Sequence, residues 1–207
     1  MQEKNPELPE EKEHLILTAA QKRFALYGYG KVTMEEIAED VRMAKASLYY
    51  YFPTKEVIFR RVIQREQHEF IGYMTGVLQK TPTASQKLKA YVQHRYSFFD
   101  KLLNLHSLSN ESWLALKPLY RDLFNVFANE ELKLLTQIVH EGKQSGEFNI
   151  SSPHKTALLL LHVLQGLRVR VFRSTVVTAD LRREYDALEK ESVCIIRMIL
   201  TGLKKHN

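Results

Sequence analysis

Residues Thr33 to Phe52 read TMEEIAEDVRMAKASLYYYF. Thr33-Met34-Glu35-Glu36 has the spacing of a capping box, in which the threonine hydroxyl takes a backbone N–H and Glu36 reaches back to the threonine amide. It opens a short helix that turns Ile37, Ala38 and Val41 inward. The chain then turns and restarts at Ala44 or Lys45 for a second short helix, which Pro53 stops at Phe52 by disfavouring helical geometry in the residue before it. Two short helices joined by a tight turn and backed by an amphipathic first helix make the plan of a helix-turn-helix unit, whose second helix lies in the major groove of DNA.

The second helix carries three consecutive tyrosines, and rotation about its axis gives them different tasks. Taking about 100° per residue from Leu48 as the inward reference, Phe52 falls about 40° away, Ala46 and Tyr50 near ~160° and ~200°, and Tyr51 near ~300°. Leu48 and Phe52 therefore point inward, Tyr51 leans back toward the core, and Ala46 and Tyr50 point outward, with Ser47 and Tyr49 on the two flanks. Small side chains at 46 and 47 let the backbone approach base edges, where a serine hydroxyl or an alanine methyl can make contact. Tyrosine hydroxyls on the flanks suit phosphates, which position a protein without reading sequence. Lys45 and Lys55 add charge at the groove margins, and the N–H groups opening helices at Met34 and Lys55 suit phosphate binding.

Outward from this unit, helical periodicity recurs and strand alternation does not, which predicts an all-α chain. From about Glu10 to Tyr29 the residues Leu15, Ile16, Ala19, Ala20, Phe24 and Tyr27 describe one apolar stripe, ended by Gly28-Tyr29-Gly30. Thr54 can cap a long helix running to about Lys80, where Thr81-Pro82-Thr83 breaks the pattern. Further helices are expected over roughly 84 to 104, 108 to 116, 118 to 144, 153 to 173 and 180 to 202. The stretch 157 to 172 is apolar on nearly all sides, and the stretch after it carries a stripe of Leu181, Tyr185, Leu188, Ile195, Ile196 and Ile199. A second copy of the chain would cover both, giving a homodimer through 153–173 and 180–202; a helix buried within one chain is the alternative.

The 207 residues can bury a substantial core, and 44% hydrophobic with 26% charged residues is an ordinary globular composition. The polar, acidic start and the lack of a run long enough to span a bilayer predict a cytoplasmic protein. One cysteine, Cys194, allows no intramolecular disulfide and no cysteine-based metal cluster. The net charge of +6 permits a polyanionic partner. Its placement says more, because Arg42, Lys45, Lys55, Arg60 and Arg61 stand against Glu56 alone between positions 42 and 61.

The run from Phe24 to Ile58, FALYGYGKVTMEEIAEDVRMAKASLYYYFPTKEVI, resembles the N-terminal domain of TetR-type (tetracycline-repressor-like) transcriptional regulators. Their pattern is a phenylalanine and G-Y/F ending the first helix, a threonine opening the second, I-A inside it, then L-Y-x-Y-F, a lysine and a glutamate. Here these are Phe24, Gly28, Tyr29, Thr33, Ile37, Ala38, Leu48, Tyr49, Tyr51, Phe52, Lys55 and Glu56, without gaps. The later chain matches loosely, through Gly142, Gly146-Glu147-Phe148 and a Leu-rich helix after Pro153 that resembles the family's dimerisation helix. The resemblance implies a DNA-binding domain over 1–60 and a helical effector-binding and dimerisation domain over 61–207. It implies phosphate contacts from Thr33, Tyr49 and Lys55, and groove contacts from Lys45, Ala46, Ser47 and Tyr50. The chain departs from the pattern at Arg42, where the family places a turn glycine, at Ala44, where it often caps with serine, and at Ala46, where glycine is common.

The resemblance further implies a small-molecule pocket in the aromatic region from Phe70 to Phe127, for which Trp113, His94, His106 and Phe98 are the candidates. The expected mechanism is a repressor. A homodimer sets two recognition helices about one DNA turn (~34–36 Å) apart on a palindromic operator, and a hydrophobic or aromatic effector favours a dimer with the wrong spacing. An enzyme is not expected: His68-Glu69 has Gly72 where a zinc-protease motif needs histidine, no Walker-type phosphate loop occurs, and no cofactor or metal set is evident. The competing reading is a helical binding or structural dimer whose DNA face has decayed, suggested by Arg42 and Ala44.

Overall fold

A computed structural model describes the backbone of residues 9–101, 110–174 and 181–203, and the side chains of 10–98, 121–167 and 186–203. Among the described residues the order is α1 (Pro9–Tyr27), α2 (Met34–Asp40), α3 (Lys45–Tyr51), α4 (Lys55–Gln79), α5 (Ala84–Lys101), α6 (Asn110–Gln144), α7 (Pro153–Ser174) and α8 (Leu181–Leu203), with no strand. The expected helices 108–116 and 118–144 are instead one: α6 runs unbroken through Pro118. Proline at that position removes one backbone donor, a local loss that the hydrogen-bond ladder on both sides outweighs. None of the helices over the described residues is long and apolar enough to cross a membrane.

The described chain forms two compact units. The first extends to Gln67, past the expected boundary at residue 60, and takes in α6 as far as Leu123. Side chains of α4 beyond residue 60 account for the extension. Arg61 pairs with Glu13, Arg65 donates to Thr18 Oγ1 (3.1 Å) and Gln21 Oε1 (2.7 Å), and Gln21 donates to the buried Glu66 (2.7 Å). The core stripe of α1 is Ile16, Leu17, Ala20 and Phe24. Leu15 and Tyr27, expected in that stripe, are exposed: at ~100° per residue Leu15 falls far outside the arc of Ile16, Ala20 and Phe24, and Tyr27 falls inside it but is the last residue of α1. Phe24, Tyr29 and Phe59 then close the core as three rings 4.9 to 5.7 Å apart.

The second unit takes His68–Lys101 and the chain from Phe124 onward. Helix α5 packs on α8, and α8 on α7. Gly142 allows Phe148 to close on α6: a Cβ there would meet Phe148 Cδ2 at 2.2 Å and Ala84 Cβ at 2.9 Å. Gly146, at φ 75°, turns the chain so that the Glu147 carboxylate accepts the Ala84 and Ser85 amides (2.9 and 3.0 Å) and caps α5. Helix α7 buries Ala157, Leu160, Leu161 and Leu164 but leaves Leu159 65% exposed, and α8 leaves Met198 68% exposed and Cys194 exposed. The Cys194 thiol lies on the outer face of α8 within this single chain.

Candidate nucleic-acid interface

Helix α2 begins as its sequence requires. Thr33 is extended (φ −111°, ψ 161°), its hydroxyl accepts the Glu36 amide (3.3 Å), and its own amide donates to Glu36 Oε2 (2.7 Å). Those bonds hold the Glu36 carboxyl below the usual carboxylate range, the Thr33 amide being the main cause. Arg23 of α1 clamps the other end, donating to both Asp40 oxygens (2.5 and 2.8 Å) and lowering that carboxyl too. The α2 C-terminus closes as a Schellman motif, with Met43 N–H on Ala38 O (2.9 Å) and Arg42 N–H on Glu39 O (3.0 Å). Arg42 occupies the left-handed position of that motif at φ 52°, where glycine is the usual residue.

Helix α3 follows from an extended Ala44 (φ −65°, ψ 143°) that supplies no side-chain cap. Leu48 and Phe52 are buried, Tyr51 is half-buried, and Ala46, Ser47, Tyr49 (39%) and Tyr50 (85%) are exposed. The outward residues thus lie on one open face of α3, backed by two apolar anchors. Tyr51 leans on Tyr50 edge-to-face at 5.5 Å. Lys45 sits over the Tyr49 ring at 5.8 Å and is ion-paired with Glu35 of α2, whose carboxyl that bond lowers. Lys55 is placed differently from an open groove-margin cation. Its ammonium donates to Tyr29 O (2.9 Å) and Val32 O (2.7 Å) and lies 4.5 Å over the Tyr29 ring, and burial lowers its pKa. It ties the α1–α2 connection to the start of α4, with two of its three N–H donors taken by those carbonyls.

In the second unit, His94 and Phe98 of α5 come together with Tyr73 of α4. Tyr73 Oη and His94 Nδ1 share a hydrogen bond of 2.6 Å, Tyr73 stacks on Phe98 at 5.5 Å, and Phe98 meets Phe70, which meets Phe127, each at 5.3 Å. His106 and the Trp113 side chain lie outside the described residues. A separate open groove of about 730 Å³ runs along α6 to His154, lined by Val126, Leu132, Lys133 and His140 among others; neither His94 nor Phe98 lines it.

The profile described as "Bacterial regulatory proteins, tetR family" matches residues 16–62, the whole of α1 to α3 past Pro9–Leu15 and the start of α4. A transcriptional regulator from Cytophaga hutchinsonii is 36% identical and superposes with a TM-score of 0.82 over 94% of this chain and 99% of that one. The chain belongs to the TetR family. As a TetR-family member it is a DNA-binding transcriptional regulator. It is also 28% identical over 203 residues, 93% of this chain and 94% of the relative, to a fatty acid metabolism regulator protein of Bacillus subtilis (strain 168). The regulator FadR of Bacillus subtilis in complex with stearoyl-CoA shares the fold at 21% identity, with a TM-score of 0.59 over 88% of this chain and 96% of that one.

Two features of this TetR chain carried no sequence signal strong enough to find. One is the buried set of Arg95, Glu131 and Tyr91 in the C-terminal unit. Arg95 donates to both Glu131 oxygens (2.6 and 3.2 Å), and Tyr91 Oη donates to Oε1 (2.6 Å). Burial works against the Arg95 charge, and the adjacent Glu131 carboxylate outweighs it and raises its pKa; burial, then Glu131, raises that of Tyr91. The other is the commitment of Lys45 and Lys55 to partners within the chain, which the run of basic residues conceals.

Proposed function

We propose that this TetR-family regulator is a homodimeric repressor that binds a palindromic operator through paired α3 helices and is released by a small hydrophobic or aromatic effector held in its C-terminal unit. The observation that carries the reading is the open face of α3: Ala46, Ser47, Tyr49 and Tyr50 exposed over buried Leu48 and Phe52. Ala46, Ser47 and Tyr50 contact base edges, and Thr33, Tyr49 and Lys55 contact phosphates. The aromatic set of Phe70, Tyr73, His94 and Phe98 forms the effector wall. An apolar body lies on the rings, and a polar head meets the Tyr73–His94 pair. The whole-length likeness to a fatty acid metabolism regulator supports a long acyl chain as that body.

The test is a titration of the full chain against the DNA upstream of its own coding sequence at two salt concentrations, repeated with stearoyl-CoA and with a small aromatic acid. Preference for that segment over scrambled DNA, with a steep negative salt slope, is expected. One of the two ligands should then lower the affinity by the ratio of its binding to the two dimer states. Indifference to DNA sequence would instead favour a helical binding dimer without a reading face. Indifference to both ligands would remove the acyl and aromatic effector assignments.

A further inference from the structure

Most cations between Arg23 and Arg61 already have partners inside the first unit. Arg23 holds Asp40 and Glu36, Lys45 holds Glu35, Lys55 holds two carbonyls, Arg60 reaches Glu56 at 3.9 Å, and Arg61 holds Glu13. Arg42 is the exception within the helix-turn-helix itself: it is exposed and makes no side-chain hydrogen bond or ion pair among the described residues. It also sits at φ 52°, a conformation that L side chains other than asparagine and aspartate rarely hold and for which glycine would be free of strain. A strained arginine kept in the glycine position of a Schellman motif is a reason to ask what its side chain does.

The place answers the question. Arg42 precedes the α3 N-cap, Ala44, by two residues, and helix-turn-helix proteins bring the N-terminal end of the recognition helix to the base edges. A residue just before that end lies at the groove margin, where the phosphates run, and a guanidinium offers a planar donor fork that matches a phosphate. We infer that Arg42 is a DNA-phosphate contact particular to this chain, supplying at the turn a charge that no partner within the described chain takes up. The inference rests on the DNA-binding reading.

The experiment measures log affinity against log salt for the full chain on two duplexes, its own upstream DNA and a scrambled duplex of equal length, with Arg42→Gly, Arg42→Lys and Lys22→Gln. Lys22 is an exposed cation on α1 and serves as the control for loss of charge alone. Each phosphate contact contributes about 0.9 to the slope, so Arg42→Gly should flatten it by about 0.9 per bound protomer and weaken both duplexes by roughly eightfold per protomer at 0.1 M salt. Arg42→Lys should keep the slope, and Lys22→Gln should leave slope and affinity near wild type. The melting temperature of Arg42→Gly should hold or rise, which separates lost contact from lost fold. A wild-type slope for Arg42→Gly, a loss confined to the upstream duplex, or an equal effect of Lys22→Gln would overturn the assignment. Wild-type protein that binds both duplexes equally still tests Arg42 on either one; wild-type protein that binds neither overturns the DNA-binding reading and this inference together.

Discussion

Tyr49 and Tyr51 are two residues apart in one helix and face different surroundings. The Tyr49 hydroxyl is on the open flank of α3, while the Tyr51 ring is half-buried and packed against Tyr50. Removing only the Tyr49 hydroxyl leaves the ring beneath Lys45 and removes the phosphate donor proposed above. Tyr49→Phe should therefore weaken operator binding by about 1 kcal/mol per protomer, with an unfolding midpoint close to wild type. Tyr51→Ala removes packing and should lower unfolding stability by about 1–3 kcal/mol. Urea unfolding beside DNA titration checks both. The opposite pattern, stability lost at 49 and affinity lost at 51, would mean that α3 presents another face to DNA.

At the scale of an element, α2 is held at both ends by carboxylates. Glu36 closes the N-terminal box and Asp40 takes Arg23 at the other end, and both carboxyls titrate below their ordinary range near about 4. For a carboxyl depressed by folding, the stabilisation is fully present above the unfolded value and is lost as pH falls through the folded one. The double variant Glu36→Gln, Asp40→Asn should therefore be less stable than wild type at neutral pH, and the gap should close as pH falls from about 6 to about 3. Urea midpoints across that range check it; a gap independent of pH would mean that the two carboxylates stabilise α2 in some way other than through their charge. This box was legible in the sequence because its bonds are local, spanning three residues. What stayed hidden depends on contacts distant in sequence. The bond from Lys55 to Tyr29 O spans 26 residues and that from Arg95 to Glu131 spans 36. Leu15 and Tyr27 are expected in the apolar stripe of α1 yet stay exposed, because apolar identity marks neither the arc of the helix that is covered, which excludes Leu15, nor how far along the helix the cover extends, which stops short of Tyr27. The expected division of 108–116 from 118–144 erred in the opposite direction, since a helix as long as Asn110–Gln144 has ladder enough to absorb the donor missing at Pro118.

At the scale of the whole molecule, the apolar residues that a single chain leaves open are the argument for a partner. Leu159 on α7 and Met198 on α8 are each about two-thirds exposed, at 65% and 68%, with Val163 one turn along from Leu159. These are the helices expected to pair in a homodimer, and in the proposed arrangement that pairing places two α3 helices on successive grooves. Because both side chains are already solvent-exposed in the single chain, Leu159→Glu and Met198→Glu should fold with a change of no more than about 0.5 kcal/mol. Each adds a charge that an intersubunit bundle would have to bury, so the double variant should sediment as a monomer. Its operator affinity should fall by about 10²–10⁴, because the second half-site is then no longer bound at the effective concentration the dimer provides. Leu26→Glu is the matched control, an equally exposed leucine at 75% but on α1, and should remain dimeric. A double variant that stays dimeric would place the interface elsewhere on the C-terminal unit. A monomer with undiminished operator affinity would show that one α3 helix suffices and that the paired half-site geometry is wrong.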